Sequence, residues 1–264
     1  MSEVEQMRGL RLGKGAHEHD ARTLMLIDFI APEIRFPSVF DFDKGRAPIP
    51  IRMWGNDEWG DCVIAGEANH ILRNERVEQR RTVKLYDGHV IDRYKALTGS
   101  QSPGDSRDEG LVVLQAMRDW RVNGFPVGTR NYTTAAFGEL EPQDDAQLRK
   151  AIYLLHGIHL GFWLPRAAQE MTDQGFWDYQ GQSGAEWLPG SWGGHLVYAK
   201  KYDTDSISVL TWGREVKVSN AFVHKYCDEA WAVVDNFNSW KVKQTIDVTA
   251  LRQYLRDIGA RVDE

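Results

Sequence analysis

The spacing of hydrophobic positions changes partway along this chain. From Cys62 the apolar residues Ile64, Ala68, Ile71 and Leu72 fall at i, i+4, i+7 and i+8, which predicts a helix with one buried face running to about Arg80. The charge run from Arg73 to Arg81 at its far end mixes acids with bases and reads as a solvated helix face. Val113, Met117 and Trp120 mark a second helix closed by Asn123-Gly124, and Leu148, Ile152 and Leu155 a third over Asp144 to His156. The runs Ile158 to Leu164, His195 to Tyr202, Ser206 to Trp212, Glu215 to Val218 and Ala230 to Val234 are short, rich in Ile, Val, Trp and Tyr, and bounded by Gly, Asp and Pro. These are strand signals, and helices followed by strands give an α+β class. Thr98 to Gly110 is a loop by composition. Thr172 to Gly194 is a long Gly- and Trp-rich loop directly before a strand, the position of a binding rim or lid. Residues 1 to 50 carry one apolar patch, Leu24 to Ile30, and read as an arm lying on a body.

Composition narrows the classes. At 264 residues, 42% hydrophobic and 27% charged, the chain is an ordinary globular one. Its 32 basic and 38 acidic residues give a net charge of −6, which argues against a nucleic-acid or membrane-surface partner. No stretch is apolar for the roughly 18 residues of a membrane span. Only two cysteines occur, Cys62 and Cys227, far apart, which fits a reducing compartment. The first residues lack the apolar core of a secretory signal. Cytoplasmic synthesis is expected, with packaging into a virion as the other destination if the gene is phage-borne.

Gly60-Asp61-Cys62 opens the first strong helix, and a thiol in a first helical turn has its thiolate favoured by the helix dipole. Far downstream Gly193-Gly194-His195 begins a strand. Counting outward from a reversal at Asp203-Thr204 sets His195 opposite Trp212, so a third polar group comes from Leu210 to Gly213. Against this thiol and imidazole stands Asp61, whose carboxylate opposes thiolate formation.

On these residues the chain resembles the papain-like cysteine proteases from about Phe36 to Gly213. FPSVFDFDKGRAPIPIRMWGNDEWGDCVIAG looks like the family's opening, with the cysteine at the head of the central helix. The family's oxyanion glutamine sits six residues before the nucleophile; here that position holds Asn56. Gly193-Gly194-His195 matches the family's histidine strand. The asparagine of the Asn-Ser-Trp-Gly signature is missing: Leu210-Thr211-Trp212-Gly213 stands there, and the usual spacing of sixteen from the histidine lands on Thr211. The arm around His19 to Leu24 and the segment Lys225 to Ala230 look like a group of papain-like proteins found in bacterial and tailed-phage genomes.

The resemblance implies a helical half and a strand-rich half with a cleft between them. The expected divisions are an N-terminal arm (1–35), a helical half carrying Cys62 (36–125), a strand-rich half carrying His195 (126–218) and a C-terminal extension (219–264). It implies hydrolysis of a peptide or amide bond through a Cys62 thioester, with His195 as base and acid, Asn56 and the Cys62 amide as oxyanion donors, and Thr211 orienting the imidazole. Trp59, Gly60, Trp192 and Gly194 are the candidate substrate contacts. The substrate is then a peptide or protein, with no cofactor and no metal. Two alternatives stay open: a catalytically weak or inactive binding protein, such as a phage-particle component with phage structural partners, and transfer to an amine instead of water. Drift without function has no reason to retain Cys62, His195 and an amide at Asn56 together.

The arm is expected to pack on the body and to remain in the working protein, being too short to cover a cleft as a helical prodomain does. Cys62 is expected to react fast and Cys227 to be an inert core thiol. His17-Glu18-His19-Asp20 lacks metal-ligand spacing and reads as a solvated loop, and His156 and His159 as packed or half-exposed. Of the tryptophans, Trp54, Trp59, Trp187 and Trp192 lie near the site residues in sequence and are divided between core and cleft.

Overall fold

The Cys62 periodicity is realised as a long buried helix set against a sheet in the computed structural model, which describes residues 10–30, 34–78, 80–235, 240–260 and 262. The helices are α1 (Cys62–Glu78), α2 (Asp87–Thr98), α3 (Val113–Asn123), α4 (Asp145–Leu155), α5 (Ala168–Gln174), α6 (Asn220–Tyr226), α7 (Trp240–Thr245) and α8 (Val248–Asp257). The strands are β1 (Phe40–Asp41), β2 (Phe125–Val127), β3 (Arg130–Tyr132), β4 (Ala136–Leu140), β5 (Ile158–Leu164), β6 (Phe176–Trp177), β7 (Gly193–Tyr202), β8 (Ser206–Thr211), β9 (Arg214–Ser219) and β10 (Cys227–Val234). The class is α+β.

One sheet runs β4-β10-β5-β7-β8-β9-β6, with β1 also paired to β7, while β2 and β3 form a separate hairpin. Every pairing is antiparallel except β6 with β9. Alternation along the central strands sends residues to two cores. Leu196 of β7 and Trp231 and Val233 of β10 join Val63, Ile64, Ala68 and Ile71 of α1 on one face. Val197, Ala199, Ala230, Ala232 and Val234 meet Leu148, Ile152 and Phe222 on the other. Helix α1 therefore lies across β7. That places the start of the helix beside the start of the strand, where the cysteine and the histidine stand.

Three features depart from the pattern read along the chain. The charge run is not simply a solvated face: Arg73 is fully buried, its guanidinium 2.9 Å from Asp43 and over the Tyr198 ring. Helix α2 has no apolar stripe to betray it, because its buried face is Val90, Arg93 and Tyr94, the arginine satisfied by Glu67, Asp119 and the Gly124 carbonyl. Finally, the Thr172–Gly194 stretch contains the end of α5, strand β6 and a short 3₁₀ turn at Ala185–Trp187.

Of the minor candidates, His17 rests 3.4 Å from Glu139, and Glu18 and Asp20 pair with Arg118. Both His156 and His159 are buried. Trp54 is buried, and the Trp187 carbonyl accepts a hydrogen bond from the Tyr226 hydroxyl.

Candidate active site

Helix α1 starts at the proposed nucleophile because the Ala65 N–H returns to the Asp61 carbonyl at 2.9 Å, closing the first turn around Cys62. The preceding loop is pinned by Asp108, a residue no sequence motif singled out. Its carboxylate accepts the Gly60 N–H (2.8 Å), the Gly104 N–H (2.7 Å) and the Tyr94 hydroxyl (2.8 Å). Charge-assisted bonds of this kind are about twice as strong as neutral ones, so loop 98–110 braces the cysteine loop.

The thiol is 1% exposed, and burial pushes its pKa up to about 12, opposed by the Leu196 N–H, donated to Sγ at 3.4 Å, and by the Gly13 N–H. Asp61 beside it is wholly buried, and burial raises its carboxyl well above the ordinary range. The neutral acid is favoured, so the repulsion anticipated against a Cys62 thiolate is reduced.

Strand β7 carries His195 into the same place, since it is the next residue, Leu196, that touches the sulfur. The imidazole is fully buried; burial alone depresses it to about 3, so it is neutral. Its Nε2 lies 2.6 Å from Thr211 Oγ1, while Nδ1 is buried with no hydrogen-bond partner among the described residues. With Nε2–H donated to the hydroxyl, Nδ1 holds the free lone pair.

The β7–β8 ladder pairs Tyr198 with Leu210, one position off the simple count, because a bulge at Lys200 and a longer turn intervene. Thr211 nonetheless reaches the ring. Strands β8 and β9 are joined by Trp212-Gly213 alone, with Thr211 paired to Arg214 and both loop residues at positive φ, 43° and 71°, the geometry of a type I′ hairpin. That turn folds the Trp212 indole flat over the imidazole, with centroids 3.9 Å apart and planes at 8°. Trp192 stacks on Trp212 in turn, at 5.3 Å. Trp59, by contrast, packs edge-on to Tyr94 beneath Lys95, within the helical core; only its carbonyl faces the site, accepting from Asn56 Nδ2 at 3.0 Å.

The cleft is filled by the chain itself. Residues 11–15 cross between the halves in extended form, so the arm is not too short to cover it. The Arg11 N–H donates to the Asn56 carbonyl (3.0 Å), and the Arg11 carbonyl accepts from Trp212 Nε1 (3.1 Å) and Asn56 Nδ2 (3.4 Å). The N–H groups of Gly13 and Lys14 donate to the Gly194 carbonyl at 3.2 and 3.1 Å. Leu111 pairs with both sides of Lys14, donating to the Gly13 carbonyl (2.9 Å) and accepting from the Gly15 N–H (2.8 Å). Glycines make room for this. A Cβ on Gly13 would stand 1.8 Å from the Gly60 oxygen, one on Gly194 2.2 Å from the Lys14 oxygen, and one on Gly110 2.1 Å from the Gly13 oxygen. The walls are thus shaped to hold an extended backbone at van der Waals distance from the thiol.

This occupancy overturns the expectation of a fast-reacting Cys62 in the folded chain: it is as enclosed as Cys227, at 1% against 6% exposed. No motif marked Leu-Gly-Lys-Gly as a cleft-binding segment. The signal present was its glycines, set around one lysine near the start of a chain whose next apolar patch, Leu24 to Ile30, is itself anchored by Leu24, Leu26 and Ile30 in the sheet-side core.

No family model and no curated protein sequence matches the chain. Solved structures do. Xylellain, a cysteine protease from Xylella fastidiosa, superposes with a TM-score of 0.62 at 13% identity, over 86% of this chain and 97% of that one. ProCathepsin B S9 from Trypanosoma congolense gives 0.59 at 10% identity over 89% of each chain. The Carica candamarcensis cysteine protease CMS1MS2, in complex with E-64, gives 0.53 at 14% over 76% of this chain and 100% of that one. The fold is therefore that of the papain-like cysteine proteases.

Proposed function

We propose that the chain is a cysteine-dependent hydrolase of peptide or amide bonds whose cleft is closed, in this arrangement, by its own arm. The observation that carries the reading is the set of groups at the cleft floor. A thiol at the head of α1 adjoins the residue after His195, and the imidazole is held through Nε2 by Thr211 with Nδ1 left free. In the open cleft Nδ1 takes the Cys62 proton, and the thiolate attacks the substrate carbonyl. The tetrahedral oxyanion is met by Asn56 Nδ2 and the Cys62 N–H; the same carboxamide holds the Arg11 carbonyl in the closed form. Each such donor is worth roughly 10²–10³ in rate. The imidazolium then protonates the leaving amine, and water, deprotonated by His195, releases the acid and restores the thiol.

Thr211 keeps the ring in the required tautomer, and Trp212 covers the ring and keeps solvent from the Nε2 bond. Trp192, Gly60 and Gly194 form the walls that hold the substrate backbone. The structural neighbours are proteases, which supports a peptide or protein substrate over a partner in a particle. The proposed divisions remain an arm (1–35), a helical half (36–125), a strand-rich half (126–218) and a terminal extension (219–264).

A non-catalytic binding role is the second reading, favoured by the hydroxyl at the position of the family's asparagine. Intact-mass measurement on protein quenched during turnover of an activated ester separates the two. An acyl adduct mapping to Cys62 supports the hydrolase. Its absence with an opened cleft, alongside unaltered ester, supports the binding role.

A further inference from the structure

The arm does more than fill the cleft: it inserts one side chain into a pocket shaped for charge. Lys14 is buried completely. Its ammonium lies 3.0 Å from Asp228 Oδ2 and 2.9 Å from Glu229 Oε1, donates to the Gly15 carbonyl at 3.1 Å, and sits 4.8 Å from the Trp163 ring. Glu229 is itself 2% exposed, and its other oxygen is fixed by Trp231 Nε1 at 2.7 Å. Apart from the ammonium, Glu229 Oε1 has no hydrogen-bond partner among the described residues. The shaft exists because residue 161 is glycine: a Cβ there would stand 2.5 Å from both Lys14 Cε and Glu229 Cγ.

We infer that this pocket is a specificity site that selects a lysine or arginine side chain in the bound peptide, within a residue or two of the bond held at Cys62. When the arm leaves, a buried carboxylate loses the counter-ion it has in Lys14, a costly state. A peptide with a cationic side chain at the place of Lys14 restores the pair; an apolar one leaves Glu229 unpaired, and an acidic one adds repulsion. Lys14 is flanked by backbone pairing to Leu111 and Gly194, so any extended peptide making those bonds presents a side chain to the same shaft. The inference rests on the cleft being the peptide site of the proposed hydrolase, but binding alone can test it.

The experiment uses the full chain bearing Gly13→Ala, which forces the arm off Gly60, and a synthetic peptide of residues 10–16 with either lysine or norleucine at position 14. The lysine peptide should bind at least about 10-fold more tightly, and Glu229→Gln in the same chain should remove most of the difference. Equal binding, tighter binding of the norleucine peptide, or binding of neither would overturn the inference. In parallel, fluorogenic amides carrying lysine, leucine or glutamate at the pocket position are offered to the same protein. Turnover favouring lysine supports pocket and hydrolase together. Selective binding of the lysine peptide with no amide cleaved leaves the pocket standing and removes the hydrolase.

Discussion

Adding one methyl group at Gly13 should open the cleft. The new Cβ would lie 1.8 Å from the Gly60 carbonyl oxygen, where real contacts keep beyond about 3 Å, and the obstacle is backbone that cannot rotate aside. Gly60 has no freedom to retreat, because Asp108 holds its N–H at 2.8 Å. Overpacking by a methylene costs about 1–3 kcal/mol where side chains can adjust, so the upper end applies here. At about 1.4 kcal/mol per tenfold, a shift of about 3 kcal/mol raises the population with the arm displaced by about 10². Cys62 labelling by iodoacetamide, followed by peptide mapping, reads that population. Loss of burial also lets the thiol fall from about 12 toward its ordinary range, adding thiolate. Cys227 serves as the internal reference, since it lies in the core of the other half. The expected outcome is a rise of about 10² at Cys62 with Cys227 unchanged. A rise of less than a few-fold, or a parallel rise at both thiols, would refute the claim that residues 11–15 are what shields Cys62.

Other outcomes follow from the same geometry. In the opened chain, Thr211→Val should lower turnover about 10-fold with the melting temperature little changed; a neutral hydroxyl supplies only orientation, far short of the ~10⁴ lost with a buried carboxylate, and unaltered kinetics would show that the 2.6 Å contact does not position His195. His195 binds no proton in the folded chain until about pH 3, whereas the unfolded chain binds one below about 6.5. It therefore contributes stability above pH 6.5 that is lost on acidification toward 3, at about 1.4 kcal/mol per unit; His195→Gln should flatten denaturation midpoints over that window. Arg93→Met removes the cation that opposes the burial of Glu67, whose carboxyl stands at about 7 even beside it; chemical denaturation above about pH 8 should show a loss of about 3–5 kcal/mol, smaller at about pH 5, where the carboxyl is protonated with or without the arginine.

Where periodicity carried the information, the sequence could be read into structure. The apolar stripe of α1, the β-branched and aromatic runs of β5, β7, β8 and β10, and the cap residues around α3 and α4 are local signals, and helix and strand sterics act on them locally. Counting outward from the reversal at Asp203-Thr204 likewise brought Thr211 near His195, even with the register displaced by one. Contacts between distant segments were not legible. Arg73 and Arg93 look like surface charges until Asp43 and Glu67 are seen to meet them. Asp108 becomes a brace only when its loop folds back on Gly60. Lys14 is an unremarkable arm residue until Asp228 and Glu229, more than 200 positions away, close around it. The arm's course escaped notice because an extended segment bound by its backbone needs no hydrophobic pattern, only glycines at the points of closest approach.

The central claim is that Cys62, once uncovered, cleaves amide bonds. Hydrolysis of a lysine-containing fluorogenic peptide amide by Gly13→Ala protein, compared with Gly13→Ala carrying Cys62→Ala, tests it most directly. The account predicts turnover in the first and none above background in the second. Equal turnover in both would contradict the mechanism, and so would no turnover in the first when its Cys62 labels freely.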